Sequence, residues 1–423
     1  MKTLAQVAAS LQGYDPQALS VDGATRFLQA LAEPVQQSET VALKAALGRV
    51  LAADVISPIS VPAHDNSAMD GYAFRGELLQ PDRALHLTVA GTAFAGKAWS
   101  GSIAPHQCLK IMSGAVMPEG LDTVAPQEMV QLDGEQISIP AGALQRGDNR
   151  RFKGEDLAQG QAALLAGSRI GPAALGLLAS LNIAEVPVQR KLRVAFFSTG
   201  DEVLSLGEAA REGAVYDSNR YTLFGLLTRM GVEVQDRGVV RDDPLALEQA
   251  FLSAAADADA IITSGGVSVG EADHTKAVMQ KLAGGASGVA FWKIAMRPGR
   301  PMAVGRIGQA LLFGLPGNPV AVMVTFLAFV RPTLLKMMGS TSTPPPLLKA
   351  RSQEAIRKKP GRTEYQRAIV STAPDGSLQV RTTGQQGSGV LSSMVAANGL
   401  LVLPHGHGDV AVGEEVDVMV LEE

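Results

Sequence analysis

Six carboxylates, Asp201, Glu202, Asp242, Asp243, Glu271 and Asp273, fall at turns within one stretch of the chain. The same stretch carries two glycine-rich loops, one around Ser264-Gly265-Gly266 and Gly270, the other Gly314-Leu315-Pro316-Gly317-Asn318-Pro319. A cationic group, Lys293, Arg297 and Arg300, lies between them, with Pro298 and Pro301 fixing the backbone between the charges. Glycine lets a backbone approach a ligand closely, and N–H groups at a helix start favour anions. Hard divalent cations such as Mg²⁺ take few protein carboxylates and complete their shell with water and substrate phosphates. Arginine recognises oxyanions with a permanent, bidentate charge. The combined chemistry is that of a phosphate-bearing ligand held with a divalent ion.

Each feature has a plainer reading. Asp243 reads as a helix cap, and Asp201 and Glu271 as solvated charges, which leaves Glu202, Asp242 and Asp273 as metal-ligand candidates. One glycine-rich loop alone is equally a tight turn; two at strand ends in one domain favour a ligand. Neither loop matches the lysine-bearing nucleotide loop or the dinucleotide fingerprint. A solvated surface cluster is the plainer reading of the three cations. His64 and the His405/His407 pair lack zinc-protease spacing, and there is no glycine-flanked nucleophile elbow.

These residues must be positioned by alternating strands and helices. Residues 192–197 form an apolar run, 218–230 place Leu223, Leu226, Leu227 and Met230 on one helical face, and 232–240 read as a strand. Asp243 and Pro244 start a helix that buries Leu247, Ala250, Phe251 and Ala254. Residues 258–262, 289–296 and 310–313 are further strands, and Asn318 caps a last apolar helix. Such alternation predicts a parallel sheet covered on both faces, with ligands outside the carboxyl ends of its strands. Four polar turns fall there: 198–202, 241–243, 263–273 and 314–319.

Around this domain the texture changes. Residues 1–56 read as helical at 25–31 and 43–53. From 58 to about 150 short strands and turns dominate, with a hairpin over 130–139 turning at Asp133-Gly134. Residues 172–181 read as a helix, 341–346 as a proline-rich linker, and the remainder as strands of a small barrel or sandwich. A net charge of −4 gives no electrostatic basis for nucleic-acid binding. The single cysteine, Cys108, excludes an internal disulfide and a multi-thiolate metal site. The most apolar run, 320–330, stops at Arg331-Pro332, short of the ~20 residues of a membrane span. No secretory signal is visible, so the expected location is cytoplasmic.

The combination of Asp65-Asn66-Ser67-Ala68-Met69-Asp70-Gly71-Tyr72-Ala73, Ser198-Thr199-Gly200-Asp201-Glu202, residues 263–273, Arg297-Pro298-Gly299-Arg300-Pro301 and residues 314–319 resembles the molybdopterin molybdotransferase family. These enzymes insert molybdate into the pterin dithiolene and are related to the C-terminal domain of gephyrin. The resemblance spans essentially the whole chain. It implies a discontinuous helical linking domain (1–57 and 150–188), a β-rich insertion (58–149), a parallel α/β domain resembling pterin adenylyltransferases (189–338), and a C-terminal β-barrel (339–423). It implies a homodimer whose cleft joins the sheet and barrel of one subunit to the insertion of the other. The implied substrates are adenylated molybdopterin and molybdate, with Mg²⁺-dependent release of AMP. Transient contacts with the pterin adenylyltransferase and with molybdoenzymes are also implied.

By the same resemblance Asp70, Ser113, Glu202, Asp242, Asp273 and Lys293 are catalytic, with Glu202 and Asp242 on the metal. Ser264, Gly265, Gly266, Ser268, Lys276, Arg297, Pro298, Arg300, Gly317, Asn318, Arg367 and Ser388 contact substrate. This chain departs from the family in having Arg297-Pro298-Gly299-Arg300-Pro301 where Lys-Pro-Gly-Lys-Pro is usual, and Ser113 where Thr is common. Two alternatives share parts of the pattern. A pterin adenylyltransferase resembles the sheet domain alone, and a non-catalytic scaffold would not need Glu202, Asp242, Asp273, Lys293 and Arg367.

Overall fold

The structure is a computed structural model that describes residues 2–267, 274–285 and 288–421. Its central sheet has six strands in the spatial order Glu233–Val240, Arg193–Thr199, Ala260–Ser264, Ala310–Leu315, Pro301–Ile307 and Val289–Lys293. Alternation decides which face each side chain takes. Val194 and Phe196 enter one core, and Ala195 and Phe197 the other. Helix Ser218–Met230 covers the first face with Leu223, Leu227 and Met230, and Pro244–Asp257 covers the second with Leu247, Phe251 and Ala254. Each of these Leu, Met and Phe side chains contributes roughly 1.5–3 kcal/mol on burial. Asp243 Oδ1 accepts from Ala246 N–H at 2.9 Å, which makes it the expected cap.

The sheet is not wholly parallel. The first four strands are, but Pro301–Ile307 runs antiparallel to both neighbours. Gly308-Gln309 turns it into Ala310–Leu315, with Gly308 at φ +58°. Two apolar runs separated by a glycine-containing pair are a hairpin signal. The strand expected over 289–296 ends at Lys293, which lies opposite Pro301. Two reversals cancel, so Val289–Lys293 points with the parallel strands and delivers residues 294–301 to their carboxyl edge.

The N-terminal helices pack onto the core of this domain. Leu4–Ser10 and Val21–Leu31 pack Leu4, Val7, Phe27, Leu28 and Leu31 against Trp292, Phe329 and Leu334. Phe27 meets Trp292 edge-on at 5.1 Å, and Trp292 Nε1 donates to Tyr14 Oη at 2.9 Å. The link itself is mostly strand: Ser38–Ala42 pairs with Glu185–Gln189, and Val55–Ile56 with Ala162–Leu164. The helix expected over 43–53 is a single 3₁₀ turn, Leu43–Ala46. After it Val50 and Leu51 bridge to Arg169 and Val188, so tertiary pairing overrides the local period.

The apolar run at 320 does not stop at Arg331-Pro332. Pro319–Thr325 continues through a π-turn, Phe326–Val330, into Arg331–Met337. Arg331 N–H reaches back five residues to Phe326 O, and this wider turn gives the Pro332 ring, which carries no N–H, room to follow. At 19 residues the helix is long and apolar enough to cross a membrane, but Val320, Val324, Phe326, Phe329 and Leu334 are buried inside the protein.

Residues 71–139 build a second six-stranded sheet, Thr123–Pro126, Gly71–Phe74, Gln107–Ile111, Leu85–Ala93, Gln136–Ile139 and Gln131–Asp133. Its final hairpin turns at Gly134-Glu135, one residue later than expected, because Asp133 pairs with Gln136. Beyond 347, five strands close on themselves in the order Thr363–Thr372, Leu378–Thr382, Leu348–Ser352, Glu415–Val420 and Gly399–Leu403. Closure removes every free edge but one segment's: Met296–Arg297 adds alongside Thr363 and Glu364 and ties the barrel to the sheet domain.

Candidate active site

A cleft of about 1070 Å³ opens where the carboxyl edge of the sheet faces the barrel. Three strand ends make its floor, and the turns after them require glycine. A Cβ on Gly265, at φ +91°, would fall 2.6 Å from Thr199 O, and one on Gly266, at φ +64°, 2.5 Å from the Thr275 side chain. Gly265 N–H donates to Leu315 O at 3.1 Å. Gly265 therefore offers close approach to a ligand rather than a free donor. A Cβ on Gly317 would sit 3.9 Å from Gly265 Cα, so the two glycine-rich loops are one continuous floor. Asn318 holds the cap position of the helix without a side-chain capping bond, and its residue lines the cleft.

Ser264 is buried in a chain of hydroxyls that also lines the cleft. Ser198 Oγ lies 2.9 Å from Ser264 Oγ and donates to Asp217 Oδ1 at 2.9 Å, and Asp217 pairs with Arg220 at 3.2 Å. Asn219 donates to Gly317 O at 2.7 Å while its Oδ1 is buried without a partner. Neither Asp217 nor Asn219 stood out in the sequence, because a helix start rich in polar residues reads simply as a cap.

Of the acidic residues on this side, Glu202 lines the cleft, and Asp201 and Asp242 stand near it without being part of the lining. Glu202 folds back over Gly200, where a Cβ would lie 2.5 Å from Glu202 Oε2. Asp242 is half-buried, and its Oδ1 has no hydrogen-bond partner among the described residues. Burial first, then the charges of Asp201 and Glu202, hold its carboxyl above the usual range, with His274 opposing them. Asp201 is more than a solvated charge, since its Oδ1 accepts from Asp242 N–H at 3.3 Å. Among the described residues no three His, Cys, Asp or Glu side chains form a complete metal nest. Mg²⁺ needs only one or two carboxylates beside water and phosphate oxygens, so an unpartnered Asp242 oxygen facing excess negative charge fits it. Asp273 and Ser268 lie outside the described residues.

The opposite wall is cationic. Arg297, Pro298, Gly299, Arg300 and Pro301 all line the cleft. Gly299 is required here, since a Cβ at φ +96° would meet Thr325 Cγ2 at 2.4 Å. The barrel contributes Arg362 and residues 386–389, and Val320 N–H donates to Ser388 O at 3.1 Å, docking that loop on the floor. Arg367 is buried behind the loop rather than in the lining. It donates to Ser393 Oγ (2.9 Å) and to the carbonyls of Gln386 (3.3 Å), Gln385 (3.1 Å) and Gly387 (2.8 Å). Burial and then the charge of Arg297 both disfavour its cation.

Besides Asp242 and Arg367, which are absent from the lining, Lys293, Lys276, Asp70 and Ser113 stand apart from this cleft in the single chain. Lys293 sits half-buried at its strand end, with its N–H on Pro16 O. Lys276 places its ammonium 5.9 Å from the centroid of Phe291. Asp70 and Ser113 lie in the insertion, where Asp70 Oδ1 accepts from Ser113 N–H (2.6 Å) and Oγ (2.8 Å). The backbone N–H first, then the hydroxyl, hold the Asp70 carboxyl below its ordinary range. Cys108 is buried in the same sheet, its thiol pushed up to about 12 by burial, which keeps it from acting as a nucleophile.

Fold and cleft together define a multidomain α/β protein with a glycine-floored cleft, partly lined by arginines, between its sheet and its barrel. Three family descriptions match consecutive parts of the chain: "MoeA N-terminal region (domain I and II)" at 19–182, "Probable molybdopterin binding domain" at 195–336, and "MoeA C-terminal region (domain IV)" at 349–421. The chain is 42% identical to the molybdopterin molybdenumtransferase of Haemophilus influenzae, over 95% of this chain and 98% of that one. It is 36% identical to molybdopterin molybdenumtransferase 2 of Mycobacterium tuberculosis, covering 90% and 94%. The crystal structure of a molybdopterin biosynthesis MoeA protein from Pyrococcus horikoshii superposes with a TM-score of 0.80 at 28% identity, over 96% of this chain and all of that one. The chain belongs to the molybdopterin molybdenumtransferase family, a family of transferases.

Proposed function

We propose that this cleft inserts molybdenum from molybdate into molybdopterin presented as its adenylate, releasing AMP. The observation that carries this reading is the opposition of two walls across one glycine floor. Glu202 stands on one side, backed by the unpartnered Asp242, and Arg297 and Arg300 on the other. A pyrophosphate and a molybdate are both oxyanions, and each needs countercharge from a different direction. Arg297 and Arg300 supply forked, permanent cations for the oxyanion. Gly265, Gly266 and Gly317 let the phosphates lie against the backbone.

Glu202 and Asp242 would hold Mg²⁺. When bound, that ion neutralises charge developing on the phosphoanhydride oxygens. Its presence also relieves the repulsion that now burdens Asp242. Asp70 and Ser113 lie outside the cleft of their own chain, and they serve the cleft of a second copy in a homodimer. The reaction belongs in the cytoplasm, in transient contact with the adenylyltransferase that supplies the substrate and the molybdoenzymes that take the product.

The test supplies purified protein with adenylated molybdopterin, Mg²⁺ and molybdate. The expected result is molybdate-dependent AMP release and a product that reconstitutes an apo-molybdoenzyme. AMP release indifferent to molybdate contradicts the reading, and ATP-dependent formation of the adenylate from molybdopterin would mark an adenylyltransferase instead.

A further inference from the structure

The insertion is entered and left through one short ladder, in which Asn66–Ser67 pairs antiparallel with Arg150–Arg151. Two short strands alone are a weak connection in water, so side chains must supply what the ladder lacks. Asp65 stands at its base. Its Oδ2 accepts from Arg150 Nε at 3.0 Å and from Arg150 Nη2, and its Oδ1 accepts from Lys153 N–H at 2.7 Å. Its carbonyl accepts from Met117 N–H at 2.9 Å, so one residue ties the entering chain, the leaving chain and the insertion together. An exposed ion pair holds little. Here the Asp65 and Arg150 side chains keep only 29% and 25% of their surface exposed, and the Arg150 guanidinium also lies 4.8 Å from the centroid of Phe152. The Lys153 N–H first, then Arg150, hold the Asp65 carboxyl below its ordinary range against the opposing effect of burial.

A run of bonds leads from this anchor to the acid pair. Ser67 is buried; its N–H donates to Ala115 O at 3.0 Å, and its O accepts from Gly114 N–H at 2.8 Å. Its Oγ donates to Met69 O at 2.6 Å. Asp70 follows Met69 and Ser113 precedes Gly114, so whatever fixes Asp65 and Ser67 also fixes the Asp70–Ser113 pair.

We propose that Asp65 is a positioning residue: latched to Arg150 and Lys153, it sets the angle at which the insertion carries Asp70 and Ser113. The inference rests on the function proposed above, in which these two residues serve the cleft of a second copy. Asp65 and Arg150 lie 85 residues apart in the chain, so neither is legible from sequence as half of a pair.

The test compares full-length Asp65→Asn with wild type. Molybdate-dependent AMP release should fall at least about 10-fold, within the cost of a displacement of about 1 Å. Amide hydrogen exchange at 66–67 and 150–151 should quicken, because the latch no longer holds the ladder closed. Affinity for AMP and the Mg²⁺-induced rise in melting temperature should not change, since Asp65 is outside the cleft lining. Arg150→Lys, which keeps the charge without the fork, should lose less turnover than Arg150→Gln and melt as wild type does. Mixing Asp65→Asn chains with Asp242→Asn chains separates positioning from general damage. A hybrid dimer then holds one site with both changes and one with neither, so activity should reappear. No recovery in the hybrid, or unchanged exchange in Asp65→Asn, overturns the proposal. If wild type and Asp65→Asn release AMP equally, this inference fails and the transferase reading stands. No release by wild type sinks that reading instead, and unchanged exchange would still overturn the latch.

Discussion

Asp242 and Asp70 are both acids of the proposed chemistry, and their surroundings are opposite. Asp242 is half-buried, one oxygen has no partner among the described residues, and two carboxylates stand nearby. Asp70 is exposed, yet both a backbone N–H and a hydroxyl bind its Oδ1. Among the described residues the fold leaves one oxygen of Asp242 without a partner and gives one oxygen of Asp70 two donors. An underserved carboxylate gains most from a cation that arrives with substrate, whereas one whose oxygen already accepts two hydrogen bonds is oriented and held ionised before substrate arrives. The two therefore do different work, and the same residue type says nothing about which.

The largest expected effect follows from replacing Asp242. Asp242→Asn should lower molybdate-dependent AMP release by at least about 100-fold, in keeping with the several kcal/mol a metal ion contributes. It should not lower the melting temperature. A carboxyl held above its ordinary pKa binds its proton more tightly when folded, so its contribution to stability falls as pH rises through that range. Removing it at neutral pH is neutral or favourable. Addition of Mg²⁺ should raise the melting temperature of the wild type and leave that of Asp242→Asn unchanged; equal shifts would remove Asp242 from the metal site.

How much of this was legible in advance varies by region. Glu202, Asp242 and the two glycine loops could be read because each follows an apolar strand, and strand ends in such sheets face one edge. The family was legible from contiguous motifs along the whole chain. Less legible was Pro301–Ile307, an antiparallel strand inside an otherwise alternating domain. The allegiance of residues 4–31 to the sheet's core was hidden too, since the contact of Phe27 with Trp292 spans most of the domain order. Pro332 looked like a helix stop, and only the π-turn before it lets the helix continue.

A smaller effect is expected at Asp70. Its carboxyl is held below the ordinary range, so it contributes stability above pH 3.8 that is lost as pH falls through the lower, folded value. Wild type and Asp70→Asn should therefore differ slightly in melting temperature at pH 7 and converge in acid. Turnover should fall while the Mg²⁺-induced shift in melting temperature remains. An Asp70→Asn protein that loses the Mg²⁺ shift would erase the distinction between the two acids.

The smallest effect is expected for Ser113→Thr. It keeps both the N–H and the hydroxyl that hold Asp70 Oδ1, so stability should change by less than about 0.5 kcal/mol and turnover little. Ser113→Ala, which removes only the hydroxyl, should reproduce part of the Asp70→Asn effect in turnover.

The most direct measurement mixes the two acids' variants. Asp242→Asn and Asp70→Asn chains are refolded or co-expressed together, and AMP release is compared with each variant alone. If the cleft of one chain works with Asp70 of its partner, a hybrid dimer holds one site with both changes and one with neither. Activity should then reappear, up to about half the wild-type value per hybrid dimer, as expected when the two changes fall in one of two independent sites. Hybrids no more active than the better single variant would contradict the division of labour between the two acids.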